Sequence, residues 1–167
     1  MGNVAFIIEW IDRCLGSEEV LNVNTPAGTL SLIHRNGVIC QMDWDLTVTA
    51  NDSQDHELQQ KFAAFWITPS QSISVKLLKH GTDYRHRVWA ALNNIPLGTT
   101  LTYSALASII ESSARAVGNA CRDNPYPVII PCHRVVSVAG LGGYCGQTEG
   151  DFMTIKSRLL NYESRFI

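Results

Sequence analysis

Long hydrophobic runs are missing from this sequence, and so are internal repeats and low-complexity tracts. The most apolar N-terminal stretch, Ala5-Phe6-Ile7-Ile8, is short, has no basic flank and is soon interrupted by Glu9 and Asp12. It fits neither a signal peptide nor a membrane-spanning helix. With 46% hydrophobic residues among 167, the chain has enough apolar surface for one domain or two small ones. We therefore expect a compact cytoplasmic protein that does not enter a membrane.

Metal-binding spacings are missing as well. The cysteines are odd in number and include no CxxC pair, and His34 and His56 add no recognisable ligand spacing to them. The five cysteines are Cys14, Cys40, Cys121, Cys132 and Cys145. We predict no metal site, and free thiols in a reducing compartment.

A strong excess of positive charge is also missing, because the formal net charge at pH 7 is −2. The charge is unevenly distributed, however. Residues 1–79 carry 5 basic and 9 acidic side chains, a net charge of −4, whereas residues 80–167 carry 8 basic and 6 acidic side chains, a net charge of +2. A nucleic-acid-binding face would therefore belong to the second part and would bind with modest, salt-sensitive affinity. A random asymmetry of surface charge is the alternative.

A β-hairpin is the clearest local signal in the first part of the chain. Asn36-Gly37 is a typical two-residue hairpin turn, and it separates two strand-like stretches, Thr29–Arg35 and Val38–Trp44.

The rest of the first part fits a small α/β domain around that hairpin. The polar stretch Asn51–Glu57 is expected to be a loop, Leu58–Trp66 has apolar residues near helical spacing, and Ile73–Leu78 is a candidate strand. We expect an N-terminal α/β domain with a small β-sheet over residues 1–79.

The second part, residues 80–167, is expected to be a mainly helical domain. Thr82 has the character of an N-cap for a helix that ends before Pro96. Four residues after Thr82 recur at helical spacing and form one face of this helix. They are Tyr84, Val88, Trp89 and Leu92.

Two further short helices are predicted over Ser104–Ile110 and Ser113–Arg122, and their closeness suggests a helix-turn-helix. The second of them is slim, because small residues alternate with Arg115 and end near Arg122. The small residues are Ala114, Ala116, Gly118 and Ala120. A slim basic helix can approach a nucleic acid backbone closely. Helical hairpins of this size are also common in proteins that never touch DNA.

The run Asn124–Val136 places a thiol, an imidazole and a guanidinium side by side in Cys132-His133-Arg134. The apolar stretch Val128–Ile130 predicts a strand, because prolines on both sides disfavour a helix. Such a strand would hold the three groups rigidly, as a reactive site requires. A lone cysteine on an apolar strand is more often a small buried hydrophobe.

Several separated motifs in this order resemble the O6-alkylguanine-DNA alkyltransferase family. The resemblance covers roughly residues 80–163 well and the first part in outline. The motifs are Arg87-Val-Trp, Ile95-Pro-Leu-Gly-Thr, Thr102-Tyr-Ser-Ala-Leu-Ala, Ala114-Arg-Ala-Val-Gly, Asn124-Pro, Ile130-Pro-Cys-His-Arg-Val-Val, Gly143-Tyr144 and Leu159-Leu-Asn-Tyr-Glu163. The resemblance implies a small α/β N-terminal domain and a helical C-terminal domain that holds a helix-turn-helix and a reactive cysteine.

The resemblance also implies catalytic roles. Cys132 is the alkyl acceptor, because displacement at an ether carbon needs a soft nucleophile such as a thiolate. His133 removes its proton through a water, and Glu163 orients the imidazole. Tyr103 gives a proton to the departing guanine. From the residues alone, a core side chain is the alternative for His133 and for Tyr103, and a surface carboxylate is the alternative for Glu163.

DNA contacts follow from the same resemblance. Arg115 is the residue that enters the duplex and fills the space of the extruded nucleotide, since chemistry on a base requires its removal from the stack. Tyr103 crowds the phosphate, and Ala116, Gly118 and Arg122 belong to the DNA-facing helix. A solvated helix-face arginine is the alternative for Arg115.

The guanine pocket and its hinge are implied next. Asn124 joins the recognition helix to the active-site segment, Val135 and Tyr144 line the pocket, and Cys145 lies beside it within a glycine-rich loop. A simple surface turn is the alternative for that loop. Arg134 is expected to form structural ion pairs beneath the site.

Three features depart from the family pattern. The turn Glu111-Ser112-Ser113 lacks a glycine, the segment Gln147–Phe152 contains extra residues, and Cys145 replaces a small polar residue. The assignment of Glu163 therefore depends on the Leu-Leu-x-x-Glu ending rather than on spacing.

The expected function is DNA repair by a single-turnover transfer of an alkyl group from O6-alkylguanine in double-stranded DNA to Cys132. A monomer without a cofactor would suffice, because the damaged DNA is itself the donor. A non-catalytic sensor of alkylated DNA is one alternative, although such proteins replace the acceptor cysteine. A Cys-His hydrolase is another, although no oxyanion-hole signature is evident.

Overall fold

The computed structural model describes residues 6–48 and 55–167, and the chain divides into two compact units, Asn3–His80 and Gly81–Ile167. Most of the predicted loop Asn51–Glu57 lies outside the described residues, and Glu57 is the first residue of a helix. No helix among the described residues is both long and apolar enough to cross a membrane.

The N-terminal unit is a five-stranded mixed sheet with one helix. Its strands are β1 (Phe6–Ile11), β2 (Glu19–Thr25), β3 (Gly28–Arg35), β4 (Val38–Asp45) and β5 (Ile73–Leu78), and its helix is α1 (Glu57–Ile67). The sheet order is β1-β5-β4-β3-β2, with β5 parallel to both of its neighbours and the other pairs antiparallel. The predicted hairpin, helix and strand are confirmed.

The hairpin turn forms because Asn36 and Gly37 both adopt positive φ, 49° and 81°. Two such residues in succession give the tight turn whose twist matches that of paired strands. Arg35 pairs with Val38 across the turn, and the alternation then buries Leu30 and Leu32 on one face of the sheet. Phe6, Phe62 and Phe65 pack together where α1 covers the sheet.

The C-terminal unit is mainly helical. Its helices are α2 (Asp83–Asn93), α3 (Tyr103–Ile109), α4 (Ala114–Arg122) and α5 (Asp151–Glu163), with 3-10 turns at Cys132–Arg134 and Ser164–Phe166. Two short strands, β6 (Leu101–Thr102) and β7 (Val135–Val136), pair in parallel. The predicted division of the fold into a sheet-containing N-terminal region and a helical C-terminal region is confirmed.

Side-chain caps begin three of these helices. Thr82, Thr102 and Ser113 each accept a backbone N–H from the first turn of α2, α3 and α4, respectively. On α2, Val88, Trp89 and Leu92 are buried, as their spacing predicts. The Trp89 indole donates to the carbonyl of Ala120 at 2.9 Å, which ties α2 to α4.

The connection between α3 and α4 forms its turn without the glycine that is often found there. Glu111 adopts a φ of 55°, the left-handed conformation that glycine usually supplies. The amide of Ser112 donates to the carbonyl of Ala107 at 2.9 Å, and the hydroxyls of Tyr84 and Ser112 lie 2.7 Å apart. These contacts hold the short connection without a glycine.

Candidate active site

The segment before Cys132 is a turn, and the predicted strand over Val128–Ile130 is wrong. Val128 has a φ of 76°, which an extended chain does not allow, and the amide of Ile130 donates to the carbonyl of Tyr126 at 2.9 Å. The Asn124 side chain closes the turn, since it accepts from the Tyr126 amide and donates to the Ile130 carbonyl. A side-chain amide thus supplies the hydrogen bonds that a neighbouring strand would have supplied.

Cys132, His133 and Arg134 then form a single 3-10 turn. Successive residues of such a turn project about 120° apart rather than to opposite faces. The backbone bends after Ile130, whose carbonyl accepts the amide of Cys132 at 2.8 Å. All three side chains are buried, so the turn directs a thiol, an imidazole and a guanidinium into the interior of the unit.

Glu163, at the end of α5, joins two of these side chains. His133 Nε2 lies 2.7 Å from Oε1 of Glu163, while Arg134 donates from Nε to Oε2 at 3.0 Å and from Nη2 to Oε1 at 2.8 Å. Arg134 also donates to the carbonyl of Ile95 at 2.8 Å. The structural ion pair predicted for Arg134 is confirmed.

These contacts define the charges of the group. Burial alone would raise the pKa of Glu163, but His133 and Arg134 outweigh burial and lower it to about 2. Burial lowers the pKa of His133, and Glu163 offsets that only in part. Since the ionised carboxylate can only accept, the neutral imidazole carries its proton on Nε2 and keeps a lone pair on Nδ1. Nδ1 of His133 is buried and has no hydrogen-bond partner among the described residues.

The surroundings of the Cys132 thiol shift its pKa in opposite directions. Burial raises its pKa, whereas a hydrogen bond from Asn124 and the charge of Lys156 act in the opposite direction. Asn124 Nδ2 lies 3.3 Å from the Cys132 sulfur. Since the thiolate is disfavoured by burial, ionisation of Cys132 needs a base as well as these two favourable contacts.

Tyr103 begins α3 and presents its hydroxyl to the same site. Burial raises its pKa to about 12, with further contributions from Cys121 and Cys132. The phenol therefore stays protonated near neutral pH and acts as a donor. Its hydroxyl lies 3.5 Å from the carbonyl of Gly143. A Cβ at Gly142, which has a φ of 73°, would lie 3.0 Å from the Tyr103 ring, so the loop passes Tyr103 at this distance only with glycine there.

A pocket of about 210 Å³ leads to the Cys132 thiol. Its walls come from α3, α4 and the loop before α5. The lining residues are Tyr103, Gly118, Asn119, Cys121, Arg122, Cys132, Gly143, Tyr144, Cys145, Gly146, Gln147 and Thr148. Tyr144 and Gln147 exchange two backbone hydrogen bonds around Cys145 and Gly146, both at positive φ, so the pocket wall is itself a tight turn.

A metal centre does not fit the one candidate cluster. Within residues 6–48 and 55–167, only Glu19, His34 and His56 bring three potential ligand atoms within 4.8 Å of one another. However, Nδ1 of His34 accepts from the amide of Gly37, and Nδ1 of His56 accepts from the amide of Leu58. Each neutral ring then carries its proton on Nε2, the atom that a metal would need as a lone-pair donor.

The chain is similar to several known proteins. A family model described as "6-O-methylguanine DNA methyltransferase, DNA binding domain" matches residues 83–165. The constitutive methylated-DNA–protein-cysteine methyltransferase of Bacillus subtilis is 32% identical over 155 residues, which cover 83% of this chain and 91% of that protein. The methylated-DNA–protein-cysteine methyltransferase of Mycobacterium bovis is 35% identical over 136 residues, which cover 74% of this chain and 82% of that protein.

The chain belongs to the methylated-DNA–protein-cysteine methyltransferase family. The predicted family is thereby confirmed. Among solved structures, the crystal structure of Mycobacterium tuberculosis OGT in complex with DNA is similar, with a TM-score of 0.69 and 31% sequence identity. That match covers 87% of this chain and 93% of the mycobacterial one.

Most of the residues singled out from the sequence of this methyltransferase family member meet at the pocket. Tyr103, Gly118, Arg122, Tyr144 and Cys145 line it together with Cys132. His133 follows Cys132 in the 3-10 turn and contacts Glu163, and Asn124 lies 3.3 Å from the Cys132 sulfur. Val135, which was predicted to line the pocket, is buried directly after the turn and is not among the lining residues. Arg115 and Ala116, on the first turn of α4, are not among the lining residues, and Arg115 is exposed.

Lys156, a wholly buried lysine on α5 whose ammonium bonds to three carbonyls of the segment 135–143, was not predicted from the sequence. A signal for it exists in the sequence of this family member. Lys156 is three residues before Leu159 and seven before Glu163, so helical spacing places it on the buried face of α5. A lysine on an otherwise buried face is a candidate functional residue.

Proposed function

We propose that this chain repairs DNA by transferring a methyl or other small alkyl group from O6-alkylguanine in double-stranded DNA to the sulfur of Cys132. The observation that carries the proposal is the buried Cys132 thiol at the pocket, next to a histidine whose Nε2 is engaged by Glu163. Membership of the methyltransferase family supports it.

Proton removal from Cys132 follows from the imidazole tautomer. With Nε2–H held by Glu163, Nδ1 is the basic atom of His133, and it is buried without a partner among the described residues. A single water between the Cys132 thiol and Nδ1 would carry the proton from sulfur to nitrogen. Glu163 then stabilises the imidazolium that forms, in the way that a carboxylate orients a histidine base elsewhere.

The transfer itself is a displacement at carbon. The Cys132 thiolate forms a bond to the alkyl carbon, the bond from that carbon to O6 breaks, and its electron pair moves into the guanine. Tyr103, a phenol with a pKa raised to about 12, gives a proton to a ring nitrogen so that neutral guanine leaves. The product is S-alkylcysteine. Because a thioether has no easy hydrolytic route back to the thiol, each molecule acts once.

Recognition of DNA is assigned to α3 and α4 as a helix-turn-helix. Arg115 is exposed on the first turn of α4, and residues 80–167 carry a net charge of +2. Arg115 would occupy the space of the extruded nucleotide, with Ala116, Gly118 and Arg122 on the same DNA-facing helix. The similarity to a protein solved in complex with DNA supports this assignment. No cofactor and no second subunit is required by the scheme.

Intact mass after incubation with a duplex that contains one O6-methylguanine tests the proposal. We expect a gain of one methyl group, about 14 Da, once per molecule and on the peptide that contains Cys132. Cys132→Ala should abolish the gain, whereas Cys14→Ala, which alters a thiol of the N-terminal unit, should retain it. Binding of the duplex without any gain in mass would favour a lesion sensor. Repeated turnover of a thioester substrate would favour a hydrolase.

A further inference from the structure

Lys156 is a buried cation whose ammonium bonds to the carbonyl of Val135, directly after the Cys132 turn. Its side chain has no exposed surface, although lysine is almost never fully buried without partners. It lies on α5 between Ile155 and the Glu163 end of the helix, on the face that packs against the 3-10 turn of Cys132. A methionine of similar length would fill this space without the desolvation of a charge.

Three backbone carbonyls surround the ammonium group. Nζ donates to Val135 at 2.7 Å, to Leu141 at 2.6 Å and to Gly143 at 2.9 Å. An ammonium has three protons, so every donor is used. The three carbonyls belong to the segment that runs from the end of the Cys132 turn to the wall of the pocket. Lys156 therefore fixes the shape of that segment from beneath.

The Lys156 ammonium also interacts electrostatically with three cysteines. Burial lowers the pKa of Lys156 to about 8, while Cys132, Cys121 and Cys145 act in the opposite direction. Conversely, burial raises the pKa of Cys132, and Lys156 is one of the groups that reduce this increase. The other titratable or charged groups around the site are Tyr103 on α3, Cys121 and Arg122 on α4, His133 and Arg134 on the 3-10 turn, Cys145 on the pocket loop and Glu163 on α5.

Lys156 differs from the other cation buried near the site. Arg134 is neutralised by two hydrogen bonds to Glu163, and Glu163 is shared with His133. Among the described residues, the hydrogen bonds of Lys156 go to neutral carbonyls and none goes to a carboxylate, so no carboxylate of these residues cancels its positive charge. An uncompensated buried charge acts strongly on a neighbouring ionisable group.

We infer that Lys156 is a positioning residue for alkyl transfer: its ammonium holds the pocket segment 135–143 through three carbonyls and supplies the positive charge that favours the Cys132 thiolate. This inference rests on the proposed role of Cys132 as acceptor. It adds a second group to the activation of the thiol, beside the His133 base. Because the charge acts on Cys132 before any DNA is bound, it can be measured without DNA.

The experiment follows the rate of Cys132 alkylation by iodoacetamide against pH, read on the isolated Cys132 peptide by mass spectrometry. In wild type, the logarithm of the rate should rise with pH and then flatten from about pH 8. Lys156 loses its proton there, and the neutral amine no longer favours the Cys132 thiolate. Lys156→Arg keeps a permanent charge, so its profile should continue to rise through this range. A wild-type profile without the bend, parallel to that of Lys156→Arg, would overturn the inference.

Neutral variants supply the second comparison. In Lys156→Met and Lys156→Gln, the Cys132 profile should move to higher pH. Each pH unit of that movement should lower the rate at pH 7.5 roughly tenfold. Arg158→Met removes an exposed charge from the same helix and should leave the profile in place. A purely structural role would lower the melting temperature of the Lys156 variants without moving the profile, and that result would also overturn the inference. If either neutral variant fails to fold, the comparison of wild type with Lys156→Arg still decides.

The same measurements separate this inference from the proposed function. Iodoacetamide reports the Cys132 thiolate whether or not the protein accepts methyl groups from DNA. A shifted profile in a protein that gains no methyl group would retain the role of Lys156 at the thiol and remove the methyl-transfer proposal. A normal methyl gain with unchanged profiles would retain the methyl-transfer proposal and remove the role of Lys156.

Discussion

His133 donates its Nε2 proton to Oε1 of Glu163 over 2.7 Å, and this hydrogen bond fixes which nitrogen of the ring is basic. The bidentate contact with Arg134 keeps Glu163 ionised, with a pKa lowered to about 2 despite burial. A stable carboxylate at the end of α5 therefore determines the proton position on a histidine at the reactive turn. Glu163 therefore contributes both to the stability of the protein in acid and to the chemistry of the Cys132 thiol.

Glu163→Gln should remove part of the acid sensitivity of folding. Because the folded pKa of Glu163 is about 2, below its ordinary value of 4.5, the stabilisation is present above about pH 4.5 and is lost as the pH falls towards 2. The difference corresponds to up to about 3 kcal/mol. Urea unfolding of the C-terminal unit should show wild type losing more free energy of unfolding than Glu163→Gln between pH 4.5 and 3. Glu149→Gln, at an exposed site, serves as the control, and equal losses in wild type and Glu163→Gln would contradict the expectation.

Tyr103→Phe should separate the departure of guanine from the activation of the thiol. The one hydrogen bond of this hydroxyl among the described residues is a long contact of 3.5 Å with the Gly143 carbonyl, so its removal should change the free energy of unfolding little. Without a proton donor for the leaving base, the single-turnover rate of methyl transfer should fall about 10²-fold. Alkylation of Cys132 by iodoacetamide should be unaffected.

The matched control for Tyr103 is Tyr84→Phe, which removes a hydroxyl that lies 2.7 Å from Ser112 between α2 and the α3–α4 connection. Its effect should be on stability alone. Equal rates of methyl transfer for Tyr103→Phe and wild type would mean that the proton of the leaving guanine comes from elsewhere.

Local signals in the sequence were enough for much of the fold. Asn36-Gly37 predicts the hairpin because both residues readily adopt the positive φ that this two-residue turn requires, and Thr82 predicts a helix start because its hydroxyl caps the first turn. Strands β1 and β2 were not predicted. Strand β1 pairs in parallel with β5, with Ile8 opposite Val75, and such a distant partner leaves no local pattern.

In the reactive segment, local composition predicted the wrong structure. Val128–Ile130 has the composition of a strand, yet it turns, because Asn124 satisfies the backbone groups of Tyr126 and Ile130 with its side chain. Lys156 was missed for a similar reason, since its three carbonyl partners come from a loop whose course depends on tertiary packing. Glu163 and its contact with His133 were expected through the family resemblance alone, because the two residues are 30 positions apart in the sequence and leave no local pattern.

Asn124→Ala should weaken both the turn and the thiolate. The Asn124 side chain bonds to the amide of Tyr126, the carbonyl of Ile130 and the sulfur of Cys132. Loss of partners for buried backbone groups should cost about 2 kcal/mol of unfolding free energy, measured by urea denaturation. Because the bond to sulfur lowers the pKa of Cys132, its loss should move the iodoacetamide profile to higher pH.

Asn124→Asp sharpens that comparison. An aspartate can still accept from the Tyr126 amide, but it cannot donate to the Cys132 sulfur, and it adds a negative charge beside the thiol. Its iodoacetamide profile should move further to higher pH than that of Asn124→Ala. An unchanged profile in both variants would remove Asn124 from the activation of Cys132 and leave it a role in the turn alone.

Arg115→Ala should weaken DNA binding without touching the chemistry of the thiol. Arg115 is exposed on the first turn of α4 and is not among the residues that line the pocket, so folding and the reaction of Cys132 with iodoacetamide should be unchanged. The dissociation constant for a duplex with one O6-methylguanine should rise about tenfold, because the variant loses a positive charge and the side chain that fills the duplex. Fluorescence anisotropy at several salt concentrations measures both effects. Arg165→Ala removes an exposed charge near the C-terminus and should bind nearly as wild type. If the two variants lose affinity equally and only through a shallower salt dependence, Arg115 contributes charge alone and does not enter the duplex.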